Sequence, residues 1–218
     1  NDATMPIRKI WLKGPAVSPK YEFNTTDSEE KKSQEWHDTG DLGYIDPSNQ
    51  YLWFCGRMKH SFLLVVQPKL TTTNYDEQQF LFVAPVCLEH FFMQHCSRWL
   101  RRCALVALNV SQLPPRYGMD QCTRAMLVLE LYQQESLPNM KATMTTSDIE
   151  QELSHCLRTH GKQISYYSPH ITIGQNLLFT ECKDGVLPCD PRHNSKIERI
   201  KLKVEYDDYG VDEHSLST

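Results

Sequence analysis

Two apolar runs, "CALVALNV" (Cys103–Val110) and "AMLVLELY" (Ala125–Tyr132), limit what this chain can fold into more than any other feature. Each has the length of a strand and carries apolar side chains at odd and even positions alike. Strands built from them are therefore buried on both faces, and the sheet needs cover on each side. Helical cover is present. "VCLEHFFMQHCSRWL" places Leu88, Phe91, Phe92 and His95 on one helical face. "SDIEQELSHCLRTHG" is the clearest helix in the chain: Ser147 and Glu150 fit a capping box, Ile149, Leu153 and Leu157 form the apolar stripe, and Gly161 suits the C′ position. "QNLLFTE" adds a further strand. With 40% hydrophobic residues in 218, the core can be sizeable.

Upstream the texture is β. "IRKIWLKGPAVSPKYEF" alternates as a strand and breaks at Gly14-Pro15; the polar run "NTTDSEEKKSQE" (Asn24–Glu35) reads as an exposed loop. "GYID" and "QYLWFCG" are short strands separated by the turn residues Asp46-Pro47-Ser48-Asn49, as in the meander of a small antiparallel sheet. "SFLLVVQ" and "QFLFVAP" flank a polar segment and can pair as a hairpin. The β-like part gives way to an α/β-like part near residue 60, just after Arg57. The end, "YDDYGVDEHSLST", is acidic without Lys or Arg and reads as a frayed tail. The expected architecture is α+β in two unequal parts, residues 1–58 and 59–204, followed by a tail over 205–218.

Composition removes several function classes. A net charge of −4 offers no bulk basicity for nucleic acid. No apolar run approaches the ~20 residues that span a bilayer, and the first residues contain no secretory h-region. The eight cysteines include no C-x-x-C, and no His pair supplies a zinc spacing, so reduced thiols in a cytoplasmic protein are expected. In "HFFMQHC" the two histidines, His90 and His95, are five apart, a poor facial pair on a helix, and no metal site is expected.

Three stretches carry candidate chemistry. "WHDTGDLGYID" (Trp36–Asp46) sets Asp41 between two glycines. "GRMKH" (Gly56–His60) follows closely, and "DPRHNSKIERIKL" (Asp190–Leu202) lies near the end. In the last, Pro191, His193 and Asn194 disfavour a regular element, so Lys196 is expected on or just after a loop, with Ile197, Ile200 and Leu202 opening a short helix. Taken singly, Asp41 reads as a turn residue and Lys196 as a solvated surface lysine.

Taken together, "GPAVSPKY", "WHDTGDLGYID", "LWFCGR" and "NSKIERIKL" stand in the order and approximate spacing of the adenylate-forming superfamily, which this chain resembles. Within it, "LPCDPRHNSKI" is most similar to the AMP-dependent fatty-acid ligases and β-lactone synthetases of bacterial olefin biosynthesis. The resemblance implies the end of the β-rich subdomain of a large AMP-binding domain (1–58) followed by a small mobile α/β domain (59–204). It implies ATP with Mg2+ as cofactor, ATP and AMP as ligands, and a fatty or β-hydroxy fatty acid as substrate. The product would be an acyl-CoA made with coenzyme A, or a β-lactone. Asp41 matches the carboxylate that accepts hydrogen bonds from the ribose hydroxyls, and Arg57 the arginine near ribose and phosphate. Lys59 matches the hinge, and Lys196 the catalytic lysine that bridges substrate carboxylate and α-phosphate. The family's Gly-rich phosphate loop and adenine motif find no counterpart, so the chain matches about the C-terminal two-fifths of a member and is expected to be inactive alone. The alternative is a non-catalytic remnant kept as a binding or interaction module. Retention of Asp41, Arg57 and Lys196 together favours the enzyme.

Overall fold

The computed structural model describes residues 7–15, 17, 36–66, 79–110, 119–132, 144–164, 166–190 and 193–206. The polar run over 24–35, the segment 67–78 and the acidic tail from 207 lie outside them. In chain order the elements are β1 (Arg8–Leu12), β2 (His37–Ile45), β3 (Leu52–Arg57), β4 (Phe62–Val66), β5 (Gln79–Val83), α1 (Pro85–His95), β6 (Leu100–Val110), β7 (Asp120–Leu131), α2 (Thr146–His160), β8 (Leu177–Glu181), β9 (Cys189–Asp190), β10 (His193–Ile197) and α3 (Arg199–Tyr206). The class is α+β, as expected.

The two apolar runs form β6 and β7, paired antiparallel from Leu100↔Leu131 to Val110↔Cys122. On its other edge β7 takes β4 and then β8, both parallel, and β5 closes the sheet as an antiparallel neighbour of β4. Strand alternation divides the core. Cys103, Leu105 and Ala107 of β6, with Ala125, Leu127 and Leu129 of β7, pack with Leu88, Phe91 and Phe92 of α1 and Ile149, Leu153 and Cys156 of α2. Ala104, Val106 and Leu108, with Met126 and Val128, face the other way onto Leu187 and onto Leu202 and Tyr206 of α3. Each fully buried Leu or Phe stabilises by about 1.5–3 kcal/mol, so the continuous runs are needed on both faces. Helix α3 runs through Tyr206, which is fully buried. None of the described helices is long and apolar enough to cross a membrane.

Three local expectations need correction. Helix α2 is capped two residues earlier than the Ser147/Glu150 box. Thr145 is the N-cap, its hydroxyl accepting from Asp148 N at 3.2 Å while the Asp148 carboxylate accepts from Thr145 N at 2.8 Å. Gly161 is right-handed (φ −56°), because the chain continues into a 3-10 turn over Gly161–Ile164 and does not reverse. Lys196 lies on a strand, β10, and not on a loop. The β9–β10 ladder pairs only at its ends, His193↔Asp190 and Ile197↔Cys189, and Ile197 is held against the second core cluster. Anchoring at both ends overrides the turn propensity of the residues between.

The N-terminal strands form an antiparallel sheet in the order β1-β2-β3. It joins the rest through a cluster of Leu42, Cys55 and Ala84, with Ile7, Tyr44, Met58, Phe82 and Cys87 packed around it. At the seam β3 and α1 approach closely: a Cβ on Gly56, whose φ is +104°, would fall 2.8 Å from Val86 Cγ2. The same sheet leaves Trp11, Trp53 and Phe54 at 48%, 49% and 56% exposure.

Candidate functional site

Strand β2 runs from His37, so both motif glycines lie inside it and not in turns. Gly40 takes a positive φ of +68°, a bulge stabilised by its N–H donating to Asp38 Oδ1 at 2.9 Å. The next residue, Asp41, is set by its own N–H donating to Thr39 Oγ1 at 3.0 Å. Across the ladder, Asp41 is paired with Arg57. Arg57 Nε lies 2.8 Å from Asp41 Oδ1, and its Nη1 donates to Thr39 O at 3.2 Å. The first contact lacks hydrogen-bond geometry, and Asp41 Oδ1 is a buried oxygen without a hydrogen bond. A carboxylate oxygen in that condition is poised to accept from an incoming donor once the guanidinium moves. Arg57 is 54% exposed at its side chain, so the guanidinium is free to move.

Directly after β3 the chain makes a 3-10 turn, Met58–His60, which carries Lys59 exposed to solvent. The His60 ring beside it is partly buried, and its pKa is pushed down to about 4, first by burial and then by the charges of Arg199, Lys59, Arg57 and Lys196. One neutral imidazole thus marks the point toward which four cations from two separate stretches gather. Two of them are neutralised, Arg57 by Asp41 and Arg199 by Glu89. Lys59 and Lys196 have no ion-pair partner among the described residues. A cavity of about 170 Å3 opens here, lined by Lys59, His60, Asp120, Arg199 and Lys203 among others. Its charge suits an anion.

The structure therefore joins Asp41 to Arg57 directly and brings Lys59 and Lys196 into the same electrostatic neighbourhood without direct contact. His60, Arg199 and Glu89 were not singled out by sequence. His60 and Arg199 lie in quoted motifs, but nothing local distinguishes them. Glu89 is tied to Arg199 across 110 positions. No group of three or more His, Cys, Asp or Glu side chains that could hold a metal ion occurs among the described residues.

The fold is similar to that of part of several solved coenzyme A ligases and synthetases. An anthranilate CoA ligase in complex with anthranoyl-AMP superposes with a TM-score of 0.52 at 19% identity, over 94% of this chain and 31% of its own. The o-succinylbenzoate coenzyme A synthetase of Bacillus subtilis, in complex with AMP, gives 0.53 at 18% identity, over 90% and 30%. An amide bond synthetase of Marinactinospora thermotolerans gives 0.51 at 15%, over 92% and 31%. The chain thus spans about three-tenths of these structures. Neither protein-family models nor curated protein sequences match it.

Proposed function

We propose that this chain is the C-terminal part of an ATP-dependent ligase that activates a carboxylic acid as its acyl-adenylate. The observation that carries the reading is the Asp41–Arg57 pair, with its hydrogen-bond-free carboxylate oxygen, on a fold shared with enzymes bound to AMP and to an acyl-adenylate. Asp41 would accept from the two ribose hydroxyls as Arg57 turns toward ribose and phosphate. The substrate carboxylate attacks the α-phosphorus, a P–O bond forms and pyrophosphate leaves. Lys196, an ammonium without a carboxylate partner among the described residues, would offset the charge that builds on the carboxylate and α-phosphate oxygens. Lys59 sits on the exposed turn between the small sheet and the rest and would serve as the joint between the two half-reactions. Mg2+ would be carried by the phosphates of ATP, since the described residues offer it no ligand set. The exposed Trp11, Trp53 and Phe54 support a sheet that continues into the remainder of a larger ligase. By the "DPRHNSKI" motif we assign the substrate as a fatty or β-hydroxy fatty acid, and the second step as attack on the adenylate by coenzyme A or by the substrate's own hydroxyl, releasing AMP. The 218-residue chain alone would not turn over.

The test uses the full-length ligase. Lys196→Ala should lower pyrophosphate exchange by roughly 10²-fold or more while leaving AMP binding near normal, and Lys196→Arg should not rescue it. Asp41→Ala should chiefly weaken nucleotide binding. Near-normal exchange in Lys196→Ala would remove the catalytic role.

A further inference from the structure

The cavity of about 170 Å3 beside the Met58–His60 turn has no role in the reaction proposed above. Four elements build it: Lys59 and His60 come from the turn, Arg199 and Lys203 from α3, Asp120 from the start of β7 and Ala107 from the edge of β6. Three of its side chains are thus cationic and one is a carboxylate. The cations differ in how firmly they are held. Arg199 is bound to Glu89 and to Leu105 O, so it supplies a fixed positive field. Lys203 Nζ donates to Asp120 Oδ2 at 2.9 Å, but both side chains reach solvent, and such a pair exchanges readily with a stronger anion. Lys59 is exposed and has no ion-pair partner among the described residues. Ala107 is in phase with Leu105 on β6, so its N–H also points away from β7, to the sheet edge that borders the cavity. The volume lies well below the roughly 300–1,000 Å3 of sites that enclose a whole drug-sized ligand. It suits one small, highly charged group with several acceptor oxygens.

We infer that this cavity is a phosphoryl-group site, in which Lys59 and Lys203 close on a dianionic phosphate, or on one end of a diphosphate, beside the fixed charge of Arg199. No covalent bond changes; Lys203 exchanges the Asp120 carboxylate for a phosphate oxygen. The recognised chemistry is the phosphoryl group itself, whether free or at the end of a larger molecule. Neither Asp41 nor Arg57 lines the cavity, so the site does not depend on the ribose contacts proposed for them. His60 stands on the same wall and reports occupancy, because an anion beside an imidazole favours its protonated form. The charges that bear on the ring are Arg199, Lys59, Arg57 and Lys196, with Lys203 and Asp120 lining the same cavity.

The 218-residue chain itself serves for the test, with sulfate and pyrophosphate as probes and ionic strength held constant with sodium chloride. Sulfate is a dianion whose charge does not change across the working pH. Calorimetry at neutral pH should show saturable binding of both. Lys59→Gln and Lys203→Gln should each weaken it at least ~5-fold, since each removes a charged donor. Lys201→Gln is the control. Lys201 is two residues from Lys203 on α3, pairs with Glu198 and does not line the cavity, so the same loss of charge should change affinity less than ~2-fold. With saturating sulfate, the His60 ring resonance, assigned with His60→Gln, should titrate about one unit above its free value of about 4. Absence of saturable binding above the chloride background, equal weakening by all three lysine variants, or an unmoved His60 titration overturns the site. ADP separates the two sources: Lys59-dependent binding at least ~10-fold tighter than pyrophosphate marks the end of a larger molecule, equal or weaker binding marks the free anion, and both keep the site. The sulfate arm involves neither ribose nor turnover, so its failure leaves the ligase reading standing, and failure of pyrophosphate exchange in the full-length ligase leaves this site standing.

Discussion

The carboxylate of Glu89 offers a demanding quantitative test, because one side chain ties together three elements. Strand β6 is an edge of the large sheet, and its Leu105 directs both backbone groups away from β7. Glu89 Oε1 accepts from Leu105 N at 2.6 Å, while Arg199 Nη1 donates to Leu105 O at 3.1 Å. Arg199 and Glu89 are themselves joined twice, at 2.5 and 2.7 Å, with side-chain exposures of only 14% and 8%. The pair thus caps an open sheet edge and fastens α1 to α3 over it. Glu89→Leu leaves a nearly buried guanidinium without a counter-charge and an amide N–H without an acceptor. Breaking a buried pair costs about 3–5 kcal/mol, and the orphaned N–H about 1–3 more. Partial escape of the arginine to solvent reduces the total, so about 4 kcal/mol is expected, or roughly 8–16 °C in Tm for a chain of this size. Denaturant unfolding of the single variants and of Glu89→Leu/Arg199→Met measures the coupling. The double variant removes both charges and should cost less than the sum of the singles by at least about 2 kcal/mol. A Glu89→Leu cost under about 1 kcal/mol, or strict additivity, would refute the edge-cap assignment.

Two further expectations follow from the same seam. His60 has a folded pKa of about 4 against about 6.5 for a free imidazole, so the native state binds fewer protons than the unfolded chain between those values. Its contribution is intact above about pH 6.5 and is lost as pH falls toward 4, by about 1–2 kcal/mol once solvent screening of a half-exposed ring is discounted. His60→Gln should flatten that part of the wild-type stability profile, and an unchanged difference between the two proteins from pH 7 to 4 would contradict it. Gly56→Val combines a φ of +104° with a Cβ 2.8 Å from Val86 Cγ2, and should cost about 2–4 kcal/mol in denaturant unfolding. A cost below about 0.5 kcal/mol would show that β3 and α1 are not tightly apposed.

What sequence made legible, and what it did not, follows the range of the forces involved. The runs at Cys103–Val110 and Ala125–Tyr132 announced twin-faced strands because burial at every position is a local pattern, and each face found its helix. Asp41 and Arg57 were legible as residues of a motif. Their 2.8 Å contact depends on the β2–β3 register, which a bulge between Leu42 and Gly43 shifts by an amount that composition does not encode. The α2 cap was misplaced by two residues because Thr145 and Asp148 form the same box as Ser147 and Glu150 would. Only the requirement to bury Ile149, Leu153 and Cys156 together decides between them. Lys196 was placed on or just after a loop because His193 and Asn194 disfavour a regular element, whereas both lie in its strand, fixed by Ile197 packed on the second core cluster and by pairing back to Cys189. Glu89 and Arg199 were invisible: each looks like an ordinary surface charge until a distant partner arrives.

The missed pair bears directly on the residues that were found. Arg199 follows Lys196 by three positions, at the first residue of α3, and is held to Glu89 and to β6 by bonds that need no ligand. Lys196 has no such tether of its own. Its position near His60 is inherited from the end of β10 and from that arginine. Arg57 and Lys59 reach the same imidazole from the other direction, because β3 runs without interruption into the Met58–His60 turn. Like charges gathered around one imidazole repel, and Asp41 and Glu89 pair with only two of the four. The Glu89–Arg199 ion pair therefore fixes the start of α3 three residues beyond Lys196, a lysine with no ion-pair partner among the described residues, and leaves this face with a cationic surplus that suits an anion.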